Sequence, residues 1–375
     1  MALTKICLGD YIERSTKNNK DLQYGCDLIA GVTTQGIFTT PKGDVCDVDL
    51  RPYKIVNNGA FVYNPTRFDL GSIAYRTEGL CIVSHLYMVF YLNEMGKQII
   101  DPIWLYMYFR RSEFRREVTF RNFGSQRPEF NFNDLSEIEL PIPPLPIQQK
   151  YVDVYNAMLA NQQSYERGLE DLKLVCDAYI EELRREMPSQ KIGTFLKLSE
   201  ERNDDGKCGL DDVRGVSIEK RFIPTKADMK GVNLRPYFTI KPREFAYVPV
   251  TSRNGEKISI ALNASENTYI CSSSYIVFSV QGQERLWPAY LQMYFERGEF
   301  NRYARFNSWG SARETFNFDD MCDVAIPIPD IKVQKAISDI YAVYVDRKQI
   351  NNRLKERIKS MCPILIKGSL EEAEV

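Results

Sequence analysis

Two hydrophobic patterns alternate along the chain. In the first hundred residues the apolar positions come in short runs of Val, Ile, Tyr, Phe and Thr, broken by Gly, Asn and Pro. Gly59–Pro65 (GAFVYNP) and Gly79–Leu92 (GLCIVSHLYMVFYL) read as strands, because β-branched and aromatic residues suit a pleated, half-buried surface and turn residues bound each run. Asp101–Val118 (DPIWLYMYFRRSEFRREV) reads as one short helix with Pro102 near its start. Leu140–Pro146 (LPIPPLP) is extended and proline-dense. Its prolines remove ladder donors, which predicts an edge strand or a stiff connector.

From Tyr151 the period changes. Tyr151, Tyr155, Met158, Gln162, Tyr165, Leu169, Leu172, Cys176, Tyr179 and Leu183 step by four and three, with Gln162 interrupting the stripe and Gly168 weakening it locally. Sustained 4-3 spacing predicts a coiled-coil seam. A second version runs through Ile337, Ile340, Tyr344, Arg347, Asn351, Leu354, Ile358 and Met361, polar in its middle at Arg347 and Asn351. Buried polar residues in a seam set register and partner at some cost in stability.

The whole pattern occurs twice. Leu50–Tyr53 (LRPY) returns at Leu234–Tyr237, and Phe61 and Tyr63 return as Phe245 and Tyr247, both at an offset of 184. Ile82–Phe90 matches Ile270–Phe278 at 188; Leu105–Phe114 matches Leu291–Phe300, and Phe123–Leu135 matches Trp309–Met321, at 186. Leu140–Lys150 (LPIPPLPIQQK) matches Ile326–Lys335 (IPIPDIKVQK). Order is kept and the offset drifts by four residues, so the chain is an internal duplication. Each half ends in a helix that cannot bury its stripe alone, and the economical solution is an antiparallel pair. The expected fold class is therefore mixed α+β (α-β): two similar globular domains joined by two long antiparallel coiled-coil helices with pseudo-two-fold symmetry. The expected divisions are a first domain over 1–146, a helix over 147–188, a second domain over 189–331, a helix over 332–368 and a tail over 369–375.

Composition excludes more than it suggests. No apolar run approaches the ~20 residues that span a bilayer, and MALTKICLGD does not read as a signal peptide, so the expected location is the cytoplasm. Nine cysteines are scattered without CxxC spacing, which points to reduced, buried thiols rather than disulfides or zinc. His85 is the only histidine, so an imidazole-rich metal site is excluded. The sequence has no GxGxxG, GxxxxGKS, HExxH or GxSxG. Asn64–Pro65–Thr66 lacks the preceding glycine-rich turn that an S-adenosylmethionine site would need, so no enzyme and no catalytic residue is expected.

The net charge of −1 hides local asymmetry. Residues 102–130 carry six arginines (Arg110, Arg111, Arg115, Arg116, Arg121, Arg127) against three glutamates, and residues 285–313 carry five (Arg285, Arg297, Arg302, Arg305, Arg313) against two. Each stretch is therefore +3, lysine-free and interleaved with aromatics. The first long helix, by contrast, has eight acidic and four basic residues between Tyr151 and Met187, a face suited to protein partners. Arginine's planar fork suits phosphate and guanine. Each stretch ends in Gly-Ser, at Gly124–Ser125 and Gly310–Ser311, where glycine lets the backbone approach a phosphate and serine can donate to it. The candidate DNA contacts are Arg110, Arg115, Arg121, Gly124, Ser125 and Arg127 in the first half, and Arg297, Arg302, Arg305, Gly310, Ser311 and Arg313 in the second.

These residues resemble a known family. VYNPTRFDLGSIAYRTEGLCIVSHLYMVF resembles a strand run of the specificity subunits of Type I restriction-modification systems, and LPIPPLPIQQKYVDVY and IPIPDIKVQKAISDIY resemble their proline-glutamine lead-in to a helix. His85 departs from the family's usual proline. Arg67, a further contact candidate, and Gly71 have no clear counterpart in the second half. The resemblance implies two target-recognition domains that read a bipartite site on double-stranded DNA, with helix length setting the unread spacer. It also implies two methyltransferase subunits docked on the helices, and restriction/translocase subunits beyond them. S-adenosylmethionine and ATP would reside on those partners, and no cofactor or metal on this chain. Two alternatives stay open: the specificity chain of a related phage-exclusion or fused restriction-methylation system, and a coiled-coil scaffold that binds only protein. Bases are expected to be read where the halves diverge, around residues 64–81 and 248–269 and at the start of each half.

Overall fold

The short apolar runs form a four-stranded antiparallel sheet in each half of the chain, built in the same strand order. The computed structural model describes residues 3, 5–41, 45, 48–121, 129–225, 227–251, 257–310 and 313–374. These divide into two units, Met1–Tyr165 with Ile350–Val375, and Glu166–Gln349.

In the first unit the sheet order is Ile12–Arg14, Met88–Leu92, Phe61–Tyr63, Ile73–Tyr75. Phe61 pairs with Phe90 across the ladder, and their rings stack 5.0 Å apart. Two-stranded pairs flank the sheet: Gly31–Val32 with Phe38–Thr39, Lys54–Val56 with Cys81–Val83, and Lys5–Cys7 with Glu139–Pro141. The last of these puts proline in a lone pair with no further neighbour, as its missing donor requires. Behind the sheet lie Pro102–Phe109 and Ser112–Arg121. The single helix expected over this stretch is thus two, broken at Arg110–Arg111. PIWLYMYF is apolar all round and is the buried one. Asp101 caps it by accepting from the Ile103 and Trp104 N–H groups.

The second unit repeats this plan. Its sheet order is Leu196–Leu198, Ile276–Val280, Glu244–Tyr247, Ile260–Leu262. Phe245 pairs with Phe278 and their rings stack, again 5.0 Å apart. Pro288–Phe295 and Gly298–Phe306 form the two helices behind it. The repetition extends to positions outside the matched sequence runs. Asn19 closes a loop by bonding both backbone groups of the turn to Tyr24, and Asn203, 184 residues on, does the same to Cys208.

The long helices run from Leu145 to Glu186 and from Ile331 to Glu374, the first about 63 Å long at ~1.5 Å per residue. Each contributes one end to each unit, so neither is a separate domain. Ile358, Cys362, Leu365 and Ile366 complete the core of the first unit, and Cys176, Ile180 and Leu183 complete that of the second. The tail expected over 369–375 is a continuation of the helix through Glu374, and the buried Ser369 accepts a hydrogen bond from Trp104 Nε1 at 2.9 Å.

In the first unit the helices pair antiparallel. Lys150 meets Glu372, and Gln162 bonds Asn351 at 2.9 Å. Two of the three polar positions in the expected seams are therefore partners of each other. Both amides are buried. A slip of one turn would leave each unsatisfied at about 1–3 kcal/mol, which holds the register. The seam expected for the second helix is correct at Ile337, Tyr344, Asn351 and Ile358 but not at Ile340 and Arg347, which are exposed. Tyr341 is turned inward instead, bonding Glu296.

The proline-glutamine lead-in has a structural reason. Gln148 is fully buried; its Oε1 accepts from the Asp101 N–H at 2.8 Å and its Nε2 donates to the carbonyls of Ile99 and Pro143, each at 2.7 Å. Gln334 repeats this with the Trp287 N–H and the carbonyls of Arg285 and Pro329. One side chain thus joins the start of each long helix to the start of the buried helix of its own domain.

Candidate nucleic-acid interface

The second helix of each arginine stretch is amphipathic. Phe114 and Val118 face the core in the first unit, Phe300 and Ala304 in the second, and the remaining positions are half-buried or exposed. The segment after each helix is bonded to a distant turn. The Phe130 N–H donates to the Pro65 carbonyl at 3.1 Å, and the Phe316 N–H donates to the Pro249 carbonyl at 2.8 Å. In the second unit Trp309 and Thr315 also exchange backbone bonds, and the Thr251 N–H donates to the Glu314 carbonyl. The segments that follow the two arginine helices are thus tied to the turn at residues 64–72 and to the extended residues 248–251, stretches whose sequences differ between the halves.

Arg67 is exposed on that turn, whose backbone closes through Asn64 and Ser72. Arg302 and Arg313 are exposed and make no ion pair among the described residues. Arg305 is neutralised by Glu314, and Arg121 is paired with Glu117 at 3.2 Å with Glu137 at 3.9 Å. Arg115 is half-buried, its Nε without a hydrogen-bond partner. Its neighbour Arg116 is the outward one, held only by Glu113 at 3.5 Å. Gly124, Ser125, Arg127 and Ser311 lie outside the described residues.

Three expectations need correction. Arg297 is 9% exposed and locked among Asp177, Glu181 and Glu299, joining its domain to the first long helix. A guanidinium with three carboxylates has no room for a phosphate. Arg110 is likewise structural: it donates to the carbonyls of Gly71 and Thr34 and holds the hairpin Gly31–Thr39 against the helix. Gly310 has φ +143, and a Cβ there would stand 2.2 Å from the Arg313 carbonyl oxygen. Its own hairpin requires glycine, independent of any phosphate.

The residue that replaces Arg110 in the second unit is Glu296, and the device is reversed. Cations on the hairpin formed by Arg214–Val216 and Phe222–Pro224 reach the helix: Arg221 pairs with Glu296, and Lys220 donates to the Phe295 carbonyl and to Asn301 Oδ1, the latter at 2.7 Å. Nothing in the sequence singles out Lys220. It is buried, carries φ +57 and has its ammonium 5.1 Å from the Phe300 ring. Burial drives its pKa down to about 7, with Lys257 adding to the shift and Glu296 opposing it. In the unfolded chain the value is about 10.4. Above pH 7 the folded state binds fewer protons than the unfolded one, so this group makes stability rise with pH. Between pH 7 and 8.5 the thermal midpoint of the second unit should therefore climb more in the wild type than in Lys220→Met. Parallel slopes in calorimetry would refute the assignment.

Among the described cysteines, Cys81, Cys176, Cys271 and Cys362 are buried as expected, whereas Cys26, Cys208 and Cys322 are half-buried and Cys7 is exposed. Burial pushes the Cys271 thiol up to about 12 and the Cys362 thiol up to about 11, far from the thiolate a nucleophile needs. No helix among the described residues is long and apolar enough to cross a membrane.

The arrangement is thus a helix with exposed arginines in each unit, followed by a segment tied to a stretch that varies between the halves. Such a surface can hold a polyanion through this arginine ledge and discriminate through that stretch. The sequence matches the family described as Type I restriction modification DNA specificity domain over residues 10–170 and 220–360. No curated protein matches. Among solved structures, the S subunit of a Type-I restriction-modification system from M. genitalium aligns over 99% of this chain and 96% of its own, at 12% identity and a TM-score of 0.62, a likeness of fold. A chain from a study of complex assembly and conformational transition of the type I R-M system covers 98% of both chains at 14% identity and a TM-score of 0.48. The HsdS subunit from Thermoanaerobacter tengcongensis aligns over 98% and 96% at 14% identity and a TM-score of 0.38. With a match on each half of the repeat, together spanning most of its length, the chain belongs to the Type I restriction modification DNA specificity domain family.

Proposed function

We propose that this chain is the non-catalytic subunit that gives a Type I restriction-modification assembly its DNA sequence specificity. The observation that carries the reading is the paired hydrogen bond, Phe130 to Pro65 and Phe316 to Pro249, which ties the segment following each arginine helix to a stretch whose sequence differs between the halves. Phosphate contacts position a protein on the duplex and carry no sequence information; base contacts specify. A common arginine helix whose following segment is tied to a variable stretch suits that division of labour. Each half then reads one part of a bipartite site on double-stranded DNA, and the long helices set the unread spacer. Two methyltransferase subunits dock on those helices, whose first member is net acidic over Tyr151–Met187. They bring S-adenosylmethionine and extrude the target base, because a base inside the stack cannot be reached. Restriction/translocase subunits bring ATP. The chain itself holds no cofactor, and the assembly works in the cytoplasm.

Mapping methylated bases in the source genome with and without this chain tests the reading. The expected result is a two-part motif that vanishes with the chain. Removal of one heptad from each long helix should leave both half-sites intact and shorten the spacer, since seven residues correspond to about 10 Å. A methylation pattern indifferent to the chain would favour the protein-only scaffold, and an unchanged spacer would sink the role of the helices as a ruler.

A further inference from the structure

The two most exposed large apolar side chains among the described residues are Phe120, at 82%, and Phe306, at 76%. They occupy the same position of the repeat, 186 residues apart. Each stands in the last turn of its arginine helix, four residues after an exposed arginine, Arg116 or Arg302. Positions i and i+4 share a helix face, and the inward face is the one that carries Phe114 and Val118, or Phe300 and Ala304. Neighbouring positions are not repeated: Glu117 corresponds to Tyr303, Thr119 to Arg305 and Arg121 to Asn307. The outward arginine–phenylalanine pair is kept where the residues around it change. In the second unit Trp309, also exposed, stands three residues further on.

We propose that Phe120 and Phe306 stack against nucleobases of the bound duplex, each at a base step that it opens, while Arg116 and Arg302 hold the phosphates alongside. This rests on the DNA-reading function above and adds the contact and its residues. Charge complementarity selects the occupant. A phenylalanine beside arginines faces a partner that is anionic outside and apolar within, which describes a base stack between phosphates. An apolar pocket on a protein would have to desolvate the same guanidiniums. Apolar side chains inserted between base steps unstack them and bend the duplex. Stacking tolerates any sequence because every base has a π face, so this position can stay the same in two domains that read different targets.

The test uses the full chain assembled with its methyltransferase subunits and a fluorescein-labelled duplex carrying the methylation site mapped in the genome. Phe120→Ala and Phe306→Ala should each weaken binding about five- to fifty-fold. The dependence of affinity on salt should not change, because no charge is lost. Phe120→Trp and Phe306→Trp should bind as the wild type does. A 2-aminopurine scanned through the site, leaving out the target bases that the methyltransferase subunits extrude, should brighten in each half with the wild type and not with the alanine variants. Both side chains project into solvent, so the thermal midpoint should stay within a degree or two. Three results overturn the contact: a double alanine variant that binds the duplex within two-fold of wild type, a scan with no bright position other than the extruded target bases, or loss of assembly of the alanine variants with the methyltransferase subunits in the absence of DNA, which would give the ledge to a protein partner. A wild-type assembly without salt-dependent affinity for any duplex would instead overturn the DNA-reading function itself.

Discussion

Replacing Arg67, Arg116, Arg302 and Arg313 together by alanine should weaken the binding of duplex DNA by the assembled complex by two to three orders of magnitude at about 0.15 M salt. Each phosphate neutralised contributes about 0.9 to the slope of log affinity against log salt, which is roughly five-fold in affinity at that concentration. Arg67, Arg302 and Arg313 are exposed and make no ion pair among the described residues, and Arg116 is exposed with Glu113 at 3.5 Å. The slope should fall by about three to four, and it should fall equally on specific and unrelated duplexes. Arg297→Ala is the control. Its guanidinium is held by Asp177, Glu181 and Glu299, so its loss should lower the melting temperature of the second unit and leave the slope alone. Arg121 and Arg305, each already paired with a glutamate, should contribute less than their charge suggests. A slope unchanged in the quadruple variant would take these ledges out of the interface.

Gln148→Ala should cost the first unit about 3–5 kcal/mol, and Gln334→Ala the second unit a similar amount. Neither glutamine approaches the ledge. Each satisfies one N–H and two carbonyls that no other group can reach once the side chain is gone. A buried polar group left unpaired costs about 1–3 kcal/mol. In a unit of this size 1 kcal/mol shifts the midpoint by about 2–4 °C, so calorimetry should show a drop of roughly 10 °C, confined to the unit that carries the change. Gln148→Glu should not rescue, because a carboxylate can accept from Asp101 but cannot donate to Ile99 and Pro143. A variant that melts like the wild type would mean that water enters and replaces the amide.

How much of this is legible in the sequence varies with the range of the interaction. The strand runs, the long helices and the duplication are readable, because periodicity and order are local. The break at Arg110–Arg111 is not: an uninterrupted helical pattern gives no sign that one turn must end to let the buried helix tuck under the sheet. Ile340 and Tyr341 show a related limit. Both are apolar and adjacent, and a heptad can be drawn through either; Glu296, far off in sequence, decides for Tyr341. Composition finds the arginine stretches, but composition cannot tell Arg115 from Arg116. A rotation of about 100° around the helix puts one against the domain and the other in water. Phe120 and Phe306 give no signal of their own, because an apolar residue in an amphipathic helix ordinarily reads as core.

The sequence by itself determined that this chain is a duplication of an α+β domain with a long amphipathic helix after each copy, and that its cationic side chains gather in two short stretches. Those are properties of spacing and count, carried by neighbours in the chain. Only the tertiary structure decided which arginines are free, that Gln162 and Asn351 answer each other, that Gln148 and Gln334 hold each helix to its domain, and that the segment after each arginine helix is tied to a variable stretch. Each of those depends on groups tens to hundreds of residues apart, whose pairing is chosen by the burial of polar atoms that must find partners once water is excluded.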